Sequence, residues 1–159
     1  MARVDLPRSR SAAIKVRKGK NRMRQPEYSV RHVFIAADPE SVFREVSDVE
    51  RWPAWAIHNV KTAKRQPDGT FAIETPRGAG TIRMLASKEG GILDHEFVDP
   101  VQGAWYVPAR VASFVGGALF CMALAKPPGI SSELFGESMR QLDEELEVLK
   151  RRVEGRANG

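Results

Sequence analysis

A long amphipathic stretch near the C-terminus constrains the fold of this chain most. Between Ile130 and Glu154 apolar residues recur at steps of three and four, with charged residues between them. This spacing places one apolar stripe along a single helix, which at about 1.5 Å per residue is roughly 37 Å long. The stripe consists of Phe135, Met139, Leu142, Leu146, Leu149 and Val153. A helix of this length needs an equally long apolar surface to cover it.

The residues at the two ends of this stretch agree with one continuous helix. Ser131 or Ser132 can cap its start, and a basic run, Lys150 to Arg152, precedes Gly155 where the helix dipole favours cations. Either a second copy of the helix or a sheet of the same chain can cover the stripe. The spacing also fits the a and d positions of a coiled coil over about three heptads. The β-like segments that run directly into Pro127 favour the sheet, and self-association stays open.

The basic residues are concentrated in the first 27 residues. That segment has nine Lys or Arg against two acidic residues, a formal charge of +7, whereas the rest of the 159-residue chain carries −2. It shows no helical or strand period, so we predict a disordered basic tail, 1–27. Three interpretations of the tail stay open: a solvated extension or overlong gene start, a patch for nucleic acid or an anionic membrane surface, and an organelle transit peptide. The absence of aromatic residues among its cations weakens the nucleic-acid interpretation.

The remaining totals predict a cytoplasmic protein. No apolar run approaches the roughly 18 residues of a membrane span, and no hydrophobic signal core lies near the N-terminus. The single cysteine, Cys121, lies in an apolar run and is interpreted as a small buried hydrophobe. One cysteine provides neither an internal disulfide nor a cysteine-based metal framework. We therefore predict no cofactor and no metal.

The middle of the chain has the order of an α+β domain. A β-rich run begins at Tyr28, and Asp38-Pro39-Glu40 is typical of the start of a short helix. A second short helix is predicted from Trp52, with Pro53 in its first turn. Six antiparallel strands follow, because the turns between them are too short for parallel crossovers. They are predicted at 58–65, 70–75, 80–87, 91–98, 103–112, where Pro108 marks an edge or bulge, and 117–126. The domain is predicted to span 28–155, and 156–159 to be disordered.

Two motifs and the terminal helix resemble a known superfamily. The motifs are Phe34-Ile35-Ala36-Ala37-Asp38-Pro39-Glu40-Ser41-Val42-Phe43 and Asp48-Val49-Glu50-Arg51-Trp52-Pro53-Ala54-Trp55. With them the chain resembles the START-like, helix-grip superfamily, also called SRPBCC, and within it the polyketide cyclase/dehydrase-like branch. The resemblance implies a seven-stranded curved antiparallel sheet around the C-terminal helix, with two short helices after strand 1. It also implies an apolar cavity that receives lipids, sterols, polyketides or similar ligands.

Alternation along the strands indicates which side chains face that cavity. For example, Ile82 and Met84 are expected to face inward and Arg83 outward, and Asp94 and Glu96 lie on the face opposite to His95. The predicted lining residues are Trp55, Phe71, Ile73, Ile82, Met84, Leu93, His95, Phe97, Trp105, Val107, Phe120, Met122, Phe135, Met139 and Leu142.

His95 is the most interesting polar candidate. It can hold a carbonyl or hydroxyl of a ligand or act as acid or base, or it is a histidine satisfied by a core hydrogen bond. Alternation directs Asp94 and Glu96 away from its ring, which argues against a metal site. His32 and His58 lack ligand spacing.

Two further side-chain groups allow alternative interpretations. Arg110 either meets an anionic head group at the cavity mouth or is a solvated or salt-bridged arginine on the outer face. Trp52 and Trp55 either form a lid or pin the second short helix to the sheet.

The sequence favours binding of a small hydrophobic or amphipathic ligand in the cavity. The motifs of serine hydrolases, zinc proteases, nucleotide-binding loops and dinucleotide folds are absent. A cyclase/dehydratase-like enzyme, with His95 as the weak catalytic candidate, is one alternative. The other is an interaction module like the heat-shock ATPase activators of this fold, or a tail-mediated binder of anionic surfaces.

Overall fold

The computed structural model describes residues 25–100 and 103–159, so the prediction of a disordered tail lies outside the described residues for 1–24. Glu27, at the end of that predicted tail, is ordered, because its carbonyl accepts the Lys126 N–H at 2.8 Å and its carboxylate accepts the Ser132 hydroxyl at 2.9 Å. The elements follow one another as β1 (Tyr28–Ile35), α1 (Pro39–Ser47), a 3-10 helix (Val49–Ala54), β2 (Thr62–Arg65), β3 (Phe71–Thr75), β4 (Gly78–Met84), β5 (His95–Asp99), β6 (Gly103–Val107), β7 (Ala109–Phe114), β8 (Gly117–Ala125) and α2 (Ser132–Ala157).

The strands form two antiparallel sheets that join into one curved surface. One sheet has the order β1-β8-β7 and the other β2-β3-β4-β5-β6. At the join, the Val111 N–H donates to the Gly91 carbonyl and the Leu93 N–H donates to the Ala109 carbonyl, both at 2.9 Å. The antiparallel pairing expected from the short turns is confirmed for every strand pair.

The predicted strand 103–112 is divided at Pro108, which gives eight strands instead of seven. Proline has no N–H to donate, so the ladder breaks there. β6, before the break, pairs with β5, and β7, after it, pairs with β8. The strand predicted from residue 91 begins at His95. Gly91, with φ +61°, turns the chain before it.

Helix α2 covers the inner face of the sheet with its apolar stripe. All six residues of the stripe are buried, and the Ser131 hydroxyl caps the helix by accepting from the Leu134 N–H at 3.2 Å. The stripe is covered by the sheet of the same chain, as the helix-grip interpretation predicted. The helix ends at Ala157, so the disorder predicted from residue 156 is wrong at its first two positions. Arg156 holds this last turn by pairing with Glu45.

The two short helices close one end of the sheet. Asp38 caps α1 through the Ser41 N–H at 2.8 Å, as predicted. The second helix begins at Val49 rather than at Trp52, because the Asp48 carboxylate accepts the Glu50 N–H and caps a 3-10 turn. Glu45 of α1 is only 3% exposed, and Arg51, Arg152 and Arg156 all donate to its carboxylate. This cluster ties α1 to the end of α2. No helix in residues 25–100 and 103–159 is long and apolar enough to cross a membrane.

Candidate ligand-binding site

The strand register arranges the predicted lining residues in rows across the inner face of the sheet. Phe71 pairs with Ile82, Ile82 with Phe97 and Phe97 with Trp105, so these four residues form one row over β3 to β6. Met84, His95 and Val107 form the next row. Residues paired in this way have Cβ atoms about 5 Å apart. The two rows are one inner-face step apart, which is about 7 Å along a strand.

The first row runs from the core to the surface. Phe71 and Ile82 are each 2% exposed, whereas Phe97 and Trp105 are half-buried. The Phe97 and Trp105 rings stack with centroids 5.5 Å apart and an angle of 22°. The Phe97 ring lies over Gly80, where an added Cβ would be 2.6 Å from the ring. A flat aromatic surface is therefore available at the end of this row.

A cleft of about 360 Å³ opens beside this aromatic pair. Trp105, Pro128, Gly129 and Ile130 line it. The last three belong to the loop before α2, and sequence reasoning missed them as site residues. The signal was the Pro-Pro-Gly run: Gly129 has φ +81° and the Ile130 N–H reaches the Pro127 carbonyl, as in a type II turn. This turn fixes one wall of the cleft.

His95 lies in the second row, deeper than the cleft. It is 5% exposed, and burial lowers the pKa of its imidazole, so the ring is neutral at pH 7. Its Nδ1 lies 3.1 Å from the Leu93 carbonyl oxygen. A carbonyl only accepts, so Nδ1 carries the hydrogen and Nε2 is left as an acceptor.

Two tryptophans of the 3-10 helix segment lie next to His95. The Trp52 ring meets the His95 ring edge-on with centroids 5.1 Å apart, and Trp55 lies 5.3 Å from Trp52. Trp52 donates from Nε1 to the Val46 carbonyl at 2.7 Å. The Trp55 Nε1–H is buried and has no hydrogen-bond partner. The position of Trp52 fits the pinning of the helix to the sheet.

The other predicted lining residues lie in the buried apolar core, together with the buried members of the two rows. They are packed into one buried cluster with the stripe of α2 and the residues of α1. In this cluster are Trp55, Ile73, Leu93, Phe120, Met122, Phe135, Met139 and Leu142.

The outer face carries a polar network around Asp94. Asp94 lies on the face opposite to His95, as alternation predicted, and is 5% exposed. Its carboxylate accepts from the Ala109 N–H at 2.9 Å, from Arg110 and from the Tyr106 hydroxyl. Arg110 is thus the salt-bridged outer-face arginine and does not reach the cleft. Among residues 25–100 and 103–159, no three His, Cys, Asp or Glu side chains are grouped as metal ligands.

A second groove of about 570 Å³ lies along β1 and β8. Its walls include His32, Phe34, Phe114, Leu119 and Glu147, with Lys150 at the rim. The Lys150 ammonium donates to the Phe34 carbonyl at 2.9 Å, which covers the free edge of β1. The apolar residues on both faces of β8 were the sequence signal for this groove. It lies at the β1 edge of the sheet, where α2 contributes Glu147 and Lys150.

Solved structures with the same architecture cover most of the chain. Those similar to it include XoxI from Bacillus cereus, at 14% identity and a TM-score of 0.65 over 80% of this chain and 95% of that one. A START superfamily protein from Mycobacterium smegmatis matches at 18% identity and a TM-score of 0.56, over 82% and 97% of the two chains. CalU16 from Micromonospora echinospora matches at 15% identity and a TM-score of 0.58, over 80% and 74%. The chain therefore has the helix-grip fold that these structures share, which is the fold that the sequence resemblance implied.

Sequence comparison gives a shorter match. No family model matches the chain. A protein of Mycobacterium tuberculosis, described only as uncharacterized, is 33% identical over 66 residues, which is 42% of this chain and 35% of that protein. The matched part is thus about a third of the length of this curated relative.

Proposed function

We propose that this protein binds a small apolar or amphipathic molecule between the sheet and α2, and that the molecule enters through the cleft at Trp105. The stacked Phe97–Trp105 pair carries the proposal. Two large aromatic rings lie half-exposed on the inner face, at the mouth of an otherwise buried apolar core. Aromatic surface exposed in a concave site is typical of ligand recognition.

The cleft favours an uncharged ligand surface at its mouth. None of its four lining residues carries a charge. The stacked rings offer a flat face, so fused-ring polyketide-like molecules and other flat lipids are the ligand classes that fit best. A sterol-like or aliphatic molecule would gain apolar burial but less ring stacking.

Val107 and Phe97 are the inner-face side chains between the cleft and His95 in the strand register. Val107 lies one inner-face step from Trp105 on β6 and pairs with His95, and Phe97 lies one step from His95 on β5 and pairs with Trp105. A ligand that reaches deeper than the cleft therefore passes these two side chains.

Native mass spectrometry of the freshly purified protein, followed by organic extraction, tests whether a molecule copurifies. Titration with fluorene, a flat hydrocarbon, then tests the site by fluorescence. Trp105→Ala is expected to weaken fluorene binding about tenfold, because it removes half of the stacked pair.

Phe114→Ala is the matched control. It removes an aromatic ring that is 54% exposed on the outer face, and fluorene affinity should stay unchanged. Equal losses in both variants, or no fluorene binding by the wild type, would overturn the proposal.

A further inference from the structure

β1 lies at the edge of the sheet, and its backbone groups face alternately toward β8 and away from it. In the order β1-β8-β7 it has a neighbouring strand on one side only. The Glu27 carbonyl, directly before β1, accepts from the Lys126 N–H, directly after β8, at 2.8 Å. Backbone groups alternate in direction along an antiparallel strand, so the odd-numbered residues of β1 also face β8. The N–H and C=O groups of the even-numbered residues, among them Val30 and His32, therefore face outward.

Side chains of α2 cover this outward edge only at its C-terminal end. The Lys150 ammonium donates to the Phe34 carbonyl at 2.9 Å, and the Glu154 carboxylate accepts the next outward N–H at 2.7 Å. In the described part of the chain, no group donates to or accepts from the outward backbone groups of Val30 and His32. Unpaired backbone groups along a strand edge are a template for a further strand.

The groove of about 570 Å³ follows this edge. It is lined by three consecutive residues of β1, His32 to Phe34, and by Glu147 and Lys150 of α2. Successive side chains of a strand point to opposite faces, so a groove that borders all three extends along the edge itself. An extended segment that pairs with β1 would therefore lie in this groove, between β1 and α2.

The wall of the groove on the outer face of the sheet is apolar apart from His32. It contains Phe34, Phe114 and Leu119. The two phenylalanine rings meet edge-on with centroids 6.3 Å apart, and Phe114 is 54% exposed. This wall favours apolar side chains on one face of an added segment.

The wall that α2 forms carries one free charge, and this charge is negative. Lys150 is paired with Glu154 at 3.3 Å, so its charge is matched within the helix. Glu147 is exposed and has no partner among residues 25–100 and 103–159. A basic side chain on the α2 side of an added segment would complement it.

We propose that this groove binds an extended segment of a partner protein, which is added to β1 as a further strand. Alternate side chains of the segment are apolar and lie against Phe34 and Phe114, and a basic residue between them faces Glu147. The groove shares no lining residue with the cleft at Trp105, so this inference does not depend on the proposed ligand site.

Two blocked peptides, Thr-Val-Arg-Phe-Thr and Thr-Val-Gln-Phe-Thr, test the charge complementarity. The wild type is expected to bind the arginine peptide about fivefold more tightly than the glutamine peptide. In Glu147→Gln this preference should fall below about twofold. Glu144→Gln is the matched control, because it removes a carboxylate of α2 that is 66% exposed and pairs with His58. It should keep the full preference.

Phe114→Ala tests the apolar wall. It should weaken the binding of both peptides by a similar factor of about three or more, because it removes apolar surface that either peptide covers. The same variant is expected to leave fluorene affinity unchanged, so it distinguishes this groove from the cleft at Trp105.

A ¹H–¹⁵N spectrum of the full chain tests the backbone pairing directly. The arginine peptide should move the amide protons of Val30 and His32 downfield, whereas those of Arg31 and Val33, which already face β8, should change little. The proposal is overturned if the peptide does not bind, if both peptides bind equally, or if the Val30 and His32 amides do not respond. Protection of these amides in the free protein, or a shift with protein concentration, would overturn it too, because a segment of this chain or a second copy would then occupy the edge.

Discussion

The carboxylate of Glu145 accepts hydrogen bonds from both nitrogens of Asn59, which lies 86 residues earlier in the chain, at 2.9 Å from the backbone N and 3.0 Å from Nδ2. The His58 N–H donates to the same carboxylate at 2.7 Å. Glu145 is 2% exposed on α2. This contact fastens the loop after the 3-10 helix, and therefore the segment that carries Trp55, to α2. The same contacts explain why β2 begins at Thr62 and not at residue 58, where the sequence predicted the strand to start. The N–H groups of His58 and Asn59 donate to this carboxylate instead of to a neighbouring strand.

We expect Glu145→Gln to become more stable relative to the wild type as the pH rises. Burial raises the pKa of Glu145 above 4.5, and the hydrogen bonds from Asn59 and His58 offset this only in part. A carboxyl with a raised folded-state pKa contributes stability that is fully present below its unfolded pKa and lost as the pH rises through the folded pKa. Glutamine does not titrate, so it avoids this loss, and the Asn59 amide can flip to accept from it. Urea unfolding at pH 4 to 8 measures the difference.

Two variants bracket this prediction. Glu144→Gln, which makes the same change on the neighbouring side chain that is 66% exposed, is the control variant. Glu145→Ala leaves three donors without their acceptor and should cost about 2–3 kcal/mol. A difference between Glu145→Gln and the wild type that stays constant over this pH range would contradict the raised pKa.

Leu149→Ala should destabilise the protein by about 2–5 kcal/mol, because it opens a cavity between α2 and the sheet. Leu149 is 0% exposed in the middle of the buried stripe. Leu134→Ala, on the same helix, is the control: Leu134 is 63% exposed, and its loss should change stability by no more than about 0.5 kcal/mol. Chemical denaturation checks both. Similar effects of the two variants would mean that the sheet does not cover the stripe.

Gly91→Ala should cost more than about 2 kcal/mol, because the site cannot accept a side chain. Gly91 has φ +61°, and an added Cβ would lie 2.1 Å from the Val111 carbonyl oxygen. Val111 also donates to Gly91 at the join of the two sheets, so the backbone cannot move away without breaking that join. Thermal or urea unfolding gives the loss.

Gly136→Ala is the opposite case. Gly136 lies inside α2 with no atom within 4 Å of an added Cβ. Alanine should therefore stabilise the helix by about 0.5–1 kcal/mol, because it restricts the unfolded chain more than glycine does. Destabilisation by this substitution would show that α2 has a neighbour at this face.

The sequence predicted the parts of the fold that depend on local pattern. The stripe of α2, the Asp38 cap and the inner faces of the strands follow from spacing alone, because side-chain direction in a helix or strand is periodic. The limits of the strands at Gly91 and Pro108 were less predictable. They depend on which N–H groups find partners in the folded chain.

The sequence predicted which side of the sheet the site residues face, but not which of them are exposed to the cleft and which are buried in the core. Alternation put Phe97, Trp105 and His95 on one side of the sheet. It could not show that Trp105 is half-exposed while Phe71, in the same row, is buried, since that depends on where the loop before α2 lies. The missing partner of Trp55 has no sequence signal either, because only the packed core shows which donors find an acceptor.

Asp94 has a structural role for which the sequence contained no signal beyond the face on which it lies, and it gives the last prediction. Its carboxylate receives the Ala109 N–H next to the break at Pro108, as well as Arg110 and Tyr106. Asp94→Ala should destabilise the protein by about 2–3 kcal/mol, because the buried Ala109 N–H is left without an acceptor. Asp94→Asn keeps an acceptor for Ala109 but loses the ion pair, and should cost about 1–2 kcal/mol. Tyr106→Phe, which removes one donor to the carboxylate, should cost about 1 kcal/mol.

Urea unfolding of these three variants measures how much stability each one loses. Fluorene titration of the same variants tests whether the Asp94 network affects the ligand site. Because the Asp94 network lies on the outer face, fluorene affinity should stay at the wild-type value in every variant that remains folded. A loss of affinity in Tyr106→Phe would show that the outer network positions the neighbouring Trp105. A stability change below about 0.5 kcal/mol in Asp94→Ala would show that the Ala109 N–H finds another partner when the carboxylate is removed.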